Sequence, residues 1–329
     1  MSTATIAGFV GSVGAVVVLM ATPLETQGPG GRTAAPSAPA AQQTTGFGIP
    51  LEQLQIKTTK ISSNFYTLEG RNNSGVLVGA DGVFLVDSQE AELAEKLEAA
   101  IRQISDGRIR FLINTHVHLD HTGGNGHFGR KGVVIMAHEE LRARQAQHNL
   151  GAGGELVWRP PAPPVALPMV TYRGPTTVRI NGDEVQLIPV PLAHTDGDTM
   201  VYFPVADVLM IGDVFRMSGF PNIDRNNGGT VKGTIAGLGA AIAAIGPNTK
   251  VVPGHGAVAD RATLFASRDM MIGVRDRVAQ LVRQGKTPEE AVAAKPTRNY
   301  DAFVPGGTAS TADRFVRQIY AELVVEGMN

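Results

Sequence analysis

Residues 114–125 read Asn-Thr-His-Val-His-Leu-Asp-His-Thr-Gly-Gly-Asn, which puts three imidazoles and a carboxylate within six residues. A chain that carries this stretch has to fold so that side chains from one loop converge. His116 and His118 are two apart, so an extended backbone projects both to one face, where they can grip one cation as neighbours. Asp120 and His121 fall where the chain turns toward Gly123 and Gly124, so they aim elsewhere and can serve a second cation. Neutral imidazoles with a hard carboxylate suit zinc, and also accept iron or manganese.

The flanking sequence alternates short apolar runs with helical periods. Thr58–Ser62, Phe65–Leu68 and Val76–Val78 are strand-like, and Ala80-Asp81-Gly82 turns the chain into Val83–Asp87. Leu93, Leu97, Ala100, Ile101 and Ile104 carry a helical spacing that ends at Gly107. Phe111-Leu112-Ile113 is a short buried strand leading into the histidine stretch. Val133–Met136 is expected as a strand and His138–Leu150 as a helix. Residues 151–168, rich in Gly and Pro, are expected as a surface loop holding the only tryptophan, Trp158. A second strand set follows at Thr176–Ile180, Val185–Val190, Met200–Phe203, Val208–Ile211 and Val251-Val252, with helices over 230–245, 260–284 and 310–326. Two similar halves of this kind predict an α/β stack of helix, two sheets and helix.

Three later residues share the chemistry of the first stretch. His194 follows an apolar strand, Asp213 ends another in Ile211-Gly212-Asp213, and His255 stands between two glycines after Val251-Val252-Pro253. Each lies where strand ends give way to loops and sites form. With Asp87, the His-x-His-x-Asp-His run at 116–121, His194, Asp213 and His255 in that order, the chain resembles the metallo-β-lactamase superfamily over about residues 55–260. The resemblance implies a four-layer αββα sandwich with C-terminal helices. It implies two Zn²⁺ ions: one on His116, His118 and His194, the other on Asp120, His121 and His255, with Asp213 bridging them. It gives Asp87 the role of supporting the histidine loop from behind the ligands. His127, His138 and His148 are expected to be solvent-facing or helix-end residues, and Asp196 and Asp198 to be loop-turn residues.

Composition narrows the setting. No cysteine is present, which removes disulfides, thiolate ligands and cysteine nucleophiles and is compatible with an oxidising compartment. A net charge of −1 with no Lys/Arg block leaves no electrostatic footprint for nucleic acid. Ile6–Ala21 is uncharged and short for a membrane span, so residues 1–21 are expected to be a signal peptide, although no Lys or Arg precedes the run. Residues 22–49, rich in Pro and Ala, are expected to be a disordered linker. Residues 50–260 are then the catalytic domain, and residues 261–329 a helical extension packed on it. The chain is accordingly expected to be exported, periplasmic or secreted, with no stable membrane insertion after signal cleavage.

Two divalent ions sharing a water generate hydroxide at neutral pH, since a single zinc lowers the pKa of bound water to about 7. No Gly-x-Ser-x-Gly elbow supplies a competing nucleophile. Asp120 is therefore expected to bind metal and orient the nucleophile, acting on a carbonyl in a small-molecule substrate. The lack of cysteine excludes the β-lactamase subclasses with a cysteine ligand. The all-histidine subclass matches the remaining ligands but normally lacks an aspartate at the Asp213 position. Glyoxalase II thioesterases and many lactonases carry it. With the export signal, β-lactam hydrolysis is the leading expectation and thioester or lactone hydrolysis the alternative. Arg216 is a candidate for a substrate carboxylate, and Trp158 for stacking on the substrate.

Overall fold

The computed structural model of the chain describes residues 50–147, 149–150, 158–190 and 192–327. The expected signal peptide and linker, residues 1–49, lie outside the described residues, as does His148.

The first sheet is a meander of β1 (Lys57–Lys60), β2 (Phe65–Glu69), β3 (Asn73–Gly79) and β4 (Gly82–Val86). It is extended in parallel by β5 (Ile109–Ile113), β6 (Val134–His138) and, beyond a two-residue ladder of β7 (Asn149–Leu150) with β8 (Trp158–Arg159), by β9 (Val170–Tyr172). The second sheet repeats the plan. β10 (Thr176–Ile180), β11 (Asp183–Val190), β12 (Asp198–Phe203) and β13 (Val208–Gly212) run antiparallel, and β14 (Lys250–Pro253) joins in parallel. Asn181 and Gly182 both hold positive φ in the two-residue turn between β10 and β11, as an Asn-Gly hairpin requires.

Parallel pairs need a crossover, and helices provide it. α1 (Ala94–Arg102) connects β4 to β5. After β5 come the short helices α2 (Leu119–Thr122) and α3 (Asn125–Arg130), and after β6 comes α4 (Glu139–Gln145). α5 (Val231–Ala244) connects β13 to β14, and α6 (Arg261–Arg283), α7 (Pro288–Ala293) and α8 (Ala309–Val325) complete the described chain. Among the described residues no helix is long and apolar enough to cross a membrane.

Three apolar layers follow from strand alternation. Phe84 and Val86 face the second sheet, packing with Phe65, Phe203, Val201 and Met210 between the two sheets. Val83 and Leu85, pointing the other way, pack with Leu97, Ile101 and Phe128 under α1 and α3. Leu209 and Ile211 lie under α5, α6 and α8 with Leu238, Val274 and Phe315. This is a helix–sheet–sheet–helix sandwich, and the strands buried on both faces are the continuous apolar runs of the sequence.

The ends of elements depart from the sequence reading. The helix expected over His138–Leu150 stops at Gln145, and Asn149–Leu150 pairs as a strand. His138 takes the helix-end place expected for it, its Nδ1 accepting the Glu140 N–H as the cap of α4, and it is buried there. Buried Glu322 of α8 caps α5, accepting the Val231 and Lys232 backbone N–H groups at 2.5 and 2.9 Å. It ties the C-terminal helix to the sandwich.

Candidate metal centre

The ends of β4, β5, β11, β13 and β14 meet at one edge of the sandwich and bring Asp87, the 114–125 loop, His194, Asp213 and His255 together. The loop is held from beneath. Asn114 and Asn125, the first and last residues of the stretch, exchange side-chain amide hydrogen bonds at 3.0 and 2.8 Å, and Ser88 donates to Asn125 Oδ1 at 2.9 Å. All three are buried, so the network is shielded from water and rigid. Asp87 adopts φ 60° at the end of β4 and accepts the Thr115 N–H at 2.8 Å and the Thr115 hydroxyl at 2.7 Å.

Two groups of donors result. His116 Nε2 and His194 Nε2 lie 3.1 and 3.0 Å from His118 Nδ1. Asp120 Oδ2 lies 3.0 Å from His255 Nε2 and 3.5 Å from His121 Nε2. Asp213 stands between the groups. Its Oδ1 is 3.4 Å from His255 Nε2 and 3.7 Å from His121 Nε2, and its Oδ2 is 3.8 Å from His194 Nε2. The approach is close enough to demand glycine opposite: a Cβ on Gly254 would sit 2.0 Å from Asp213 Oδ1.

The proton on each imidazole is fixed by its far side. His118 Nε2 donates to Asp224 Oδ2 at 2.6 Å, His194 Nδ1 to the Asn222 carbonyl at 2.6 Å, and His255 Nδ1 to the Arg71 carbonyl at 3.1 Å. His121 Nδ1 donates to Asp87 Oδ2 at 2.7 Å, and the Asn72 side-chain nitrogen lies 2.9 Å from the same ring nitrogen. His116 Nδ1 donates to the Thr115 oxygen at 3.1 Å, whose own proton is given to Asp87. In its neutral form an imidazole has one N–H, so with their far sides donating, the three nitrogens of the first group, His116 Nε2, His118 Nδ1 and His194 Nε2, turn lone pairs on one another. Lone pairs at 3 Å repel unless a cation lies between them. Tetrahedral nitrogens bound to one zinc would be about 3.3 Å apart, close to the spacing seen. His121 Nε2 and Asp213 Oδ1 are buried with no hydrogen-bond partner, as atoms reserved for a metal are. The donor set therefore fits divalent metal.

Electrostatics agree. Burial and the neighbouring His118 hold His194 down to about 4, so it stays neutral. Burial also opposes a charge on His255, but the Asp213 and Asp120 carboxylates override it and push its pKa up to about 10. Burial opposes ionisation of Asp120 and Asp213 too, yet the histidines around them hold both well below the ordinary aspartate range. The second group is thus an anionic pocket that takes up positive charge.

Arg216 lies at the rim, its Nη1 3.7 Å from Asp213 Oδ2, its Nη2 3.4 Å from the Ser218 hydroxyl, and its buried Nε without a hydrogen-bond partner. Trp158 pairs across from Leu150 in the β7–β8 ladder; its side chain lies outside the described residues. Asp196 is held by Arg144 through its Oδ1 at 2.7 Å. Asp198 accepts the Thr195 N–H and hydroxyl at 2.9 and 2.6 Å, and burial raises its pKa to about 8. Neither belongs to the donor groups. His127 pairs with Glu98 at 2.6 Å, away from the centre.

Asp224 is the functional residue the sequence reading missed. Its Oδ1 also accepts the Asn227 N–H at 3.2 Å, closing an Asx turn over the 3₁₀ turn that follows. That Asp-x-x-Asn spacing is the local signal that it is structured, though nothing in sequence points it at His118.

The model of the metallo-beta-lactamase superfamily matches residues 68–265. The chain belongs to the metallo-beta-lactamase superfamily. The match contains Asp87, every donor named above and Asp224. Among curated proteins the chain is similar to a type 2 metallo-beta-lactamase of Bacillus cereus, 25% identical over 202 residues, 61% of this chain and 73% of that protein. It is also similar to a linear primary-alkylsulfatase of Pseudomonas sp., 23% identical over 282 residues, 73% of this chain and 53% of that protein. Two solved structures share the fold. A metallo-beta-lactamase from Pontibacter korlensis aligns with a TM-score of 0.55 at 21% identity, covering 66% of this chain and 99% of that one. The sec-alkylsulfatase Pisa1 from Pseudomonas sp. aligns with a TM-score of 0.61 at 18% identity, covering 81% and 50%. The chain spans about half the length of these alkylsulfatases.

Proposed function

We propose that the protein is an exported hydrolase that holds two zinc ions, His116, His118 and His194 on one, Asp120, His121 and His255 on the other, with Asp213 shared. The observation that carries this is the convergence of five imidazole nitrogens on two carboxylates, each ring held by a hydrogen bond on its far side. When bound, the metal pair supplies Lewis acidity and a nucleophile at neutral pH. The chain's own residues do the positioning. Asp87 and Asp224 orient His121 and His118, while Asp120, on the first turn of α2, is placed to receive the proton of the attacking water at its free oxygen. Arg216, with donors in reserve, binds a negative group on the substrate.

The substrate is a small carboxylic-acid derivative, with β-lactams the first reading, in keeping with the resemblance to the Bacillus cereus enzyme and with export. Ester-type bonds (thioester, lactone or sulfate ester) are the second reading. Asp213 favours it, because it sits between the two donor groups where the all-histidine β-lactamases lack an aspartate. The likeness to an alkylsulfatase over 73% of the chain favours it too. The test is a panel of nitrocefin, a carbapenem, S-lactoylglutathione, acyl-homoserine lactones and alkyl sulfates on metal-analysed protein. Turnover of one class, abolished by chelator and restored by zinc, is the expected result. No turnover of any class by zinc-loaded protein refutes the reading.

A further inference from the structure

Beside the metal centre lies a cavity of about 360 Å³, within the roughly 300–1,000 Å³ of small-molecule sites. The loop after β13 forms one wall, α6 a second, and the segment between α7 and α8 a third. Phe215, Met217, Met270, Tyr300, Phe303 and Val304 give it an apolar lining. Asp213 and Arg216 lie at its polar end. The cavity and the centre share walls: Asp213 belongs to both, and the Met217 N–H donates to the His255 carbonyl at 2.8 Å. The third wall is fastened to the first by the Gly219 N–H, which donates to the Pro305 carbonyl at 2.6 Å. Phe303 is 79% exposed, an unusual position for a large apolar side chain with no partner-burying role in the core.

A chamber with apolar walls and one cation at the end that meets the reacting centre matches an amphipathic ligand. We infer that this chamber binds an aliphatic chain carried by the substrate, with the chain between α6 and Phe303 and the polar or anionic group at Arg216 and the metals. The inference rests on the proposed hydrolase reading for its substrate, but the chamber's binding can be measured without turnover.

The experiment is calorimetric titration of the protein as purified with linear carboxylates from butyrate to decanoate. Each added methylene is expected to tighten binding about threefold to fourfold while the chain still enters the chamber. Ala266→Trp places an indole at the chamber wall from a position exposed on α6, so the fold is not put at risk, and is expected to flatten the series. Phe303→Ser, at an exposed site, is expected to weaken decanoate severalfold while leaving butyrate unchanged. A wild-type series with no chain-length dependence overturns the inference, and so does a series that Ala266→Trp and Phe303→Ser leave intact. If the series behaves as expected but no ester or lactam in the panel is turned over, the chamber stands and the hydrolase reading falls. If substrates are turned over but rates and carboxylate binding ignore chain length, the chamber falls and the hydrolase reading stands.

Discussion

Asp224→Ala is the sharpest perturbation of the centre, because it leaves every donor atom in place and removes only the group behind His118. The carboxylate lies 2.6 Å from His118 Nε2, is 5% exposed, and is itself held at 2.7 Å by the Asn227 side chain. Burial opposes its charge, but the hydrogen bond from His118 wins and lowers its pKa to about 2. A hydrogen bond to a charged group contributes about 1.5–3 kcal/mol. Loss of an outer partner of a metal-bound histidine costs about 10–100-fold in affinity, or about 1.4–2.7 kcal/mol, which is the same range. Without Asp224 the His118 ring can also adopt the other tautomer, which puts its proton where the lone pair should be. Zinc titration against a chromophoric chelator should therefore show two binding steps in the wild type. In the variant, one step should weaken about 10–100-fold while the other, which depends on His121, His255 and Asp120, stays within about threefold. Asp224→Asn keeps an acceptor oxygen and should fall between the two. Equal weakening of both steps would mean that the loop had collapsed. No weakening of either, in folded protein, would refute the assignment of Asp224 to His118 and the tautomer argument built on it.

Other outcomes follow from the same geometry. Asp120→Ala should lower kcat about 10²–10⁴-fold on whichever substrate is turned over, with the protein still folded by circular dichroism; unchanged kcat would exclude a catalytic role. Gly254→Ala drives a methyl to 2.0 Å from Asp213 Oδ1 and should cost about 1–3 kcal/mol of stability together with part of the bound metal, read by thermal melting and elemental analysis. Glu322→Ala uncaps two backbone N–H groups of α5 and should cost about 2–4 kcal/mol in urea unfolding without changing metal content.

The parts of the fold set by periodicity were legible in the sequence. Val83–Val86, Phe111–Ile113 and Val208–Ile211 are apolar on both faces because helices cover one side and a sheet the other, and such runs announce themselves. The long helix at 261–283 is equally plain. Short elements were not. α2 and α3 flank the glycine pair at the end of the histidine stretch, and glycine argues against helix there; tertiary contacts decide it instead, since Cβ atoms on Gly123 and Gly124 would collide with backbone of residues 88–91. His138 shows the same limit: whether a histidine at a strand–helix junction is a cap or a surface residue depends on what packs beside it.

The candidate donors were legible because their residue types are rare and clustered. Their partners were not. Asn222, Asp224 and the Arg71 carbonyl act through proximity across as many as 184 positions of sequence, as between His255 and Arg71, and no local pattern encodes that. The chamber beside Arg216 was invisible for the same reason: its walls come from three separate segments, each of which reads alone as an ordinary amphipathic helix or loop.

The central claim is that two cations are held at once by side chains gathered from the ends of separate strands. Elemental analysis of chelator-stripped protein reloaded with zinc and desalted tests it most directly. The account predicts about two equivalents per chain, falling to about one when His255 and Asp120 are both replaced by alanine in folded protein. Failure of the stripped, folded protein to retain any zinc, or retention of two equivalents by that double variant, would contradict it.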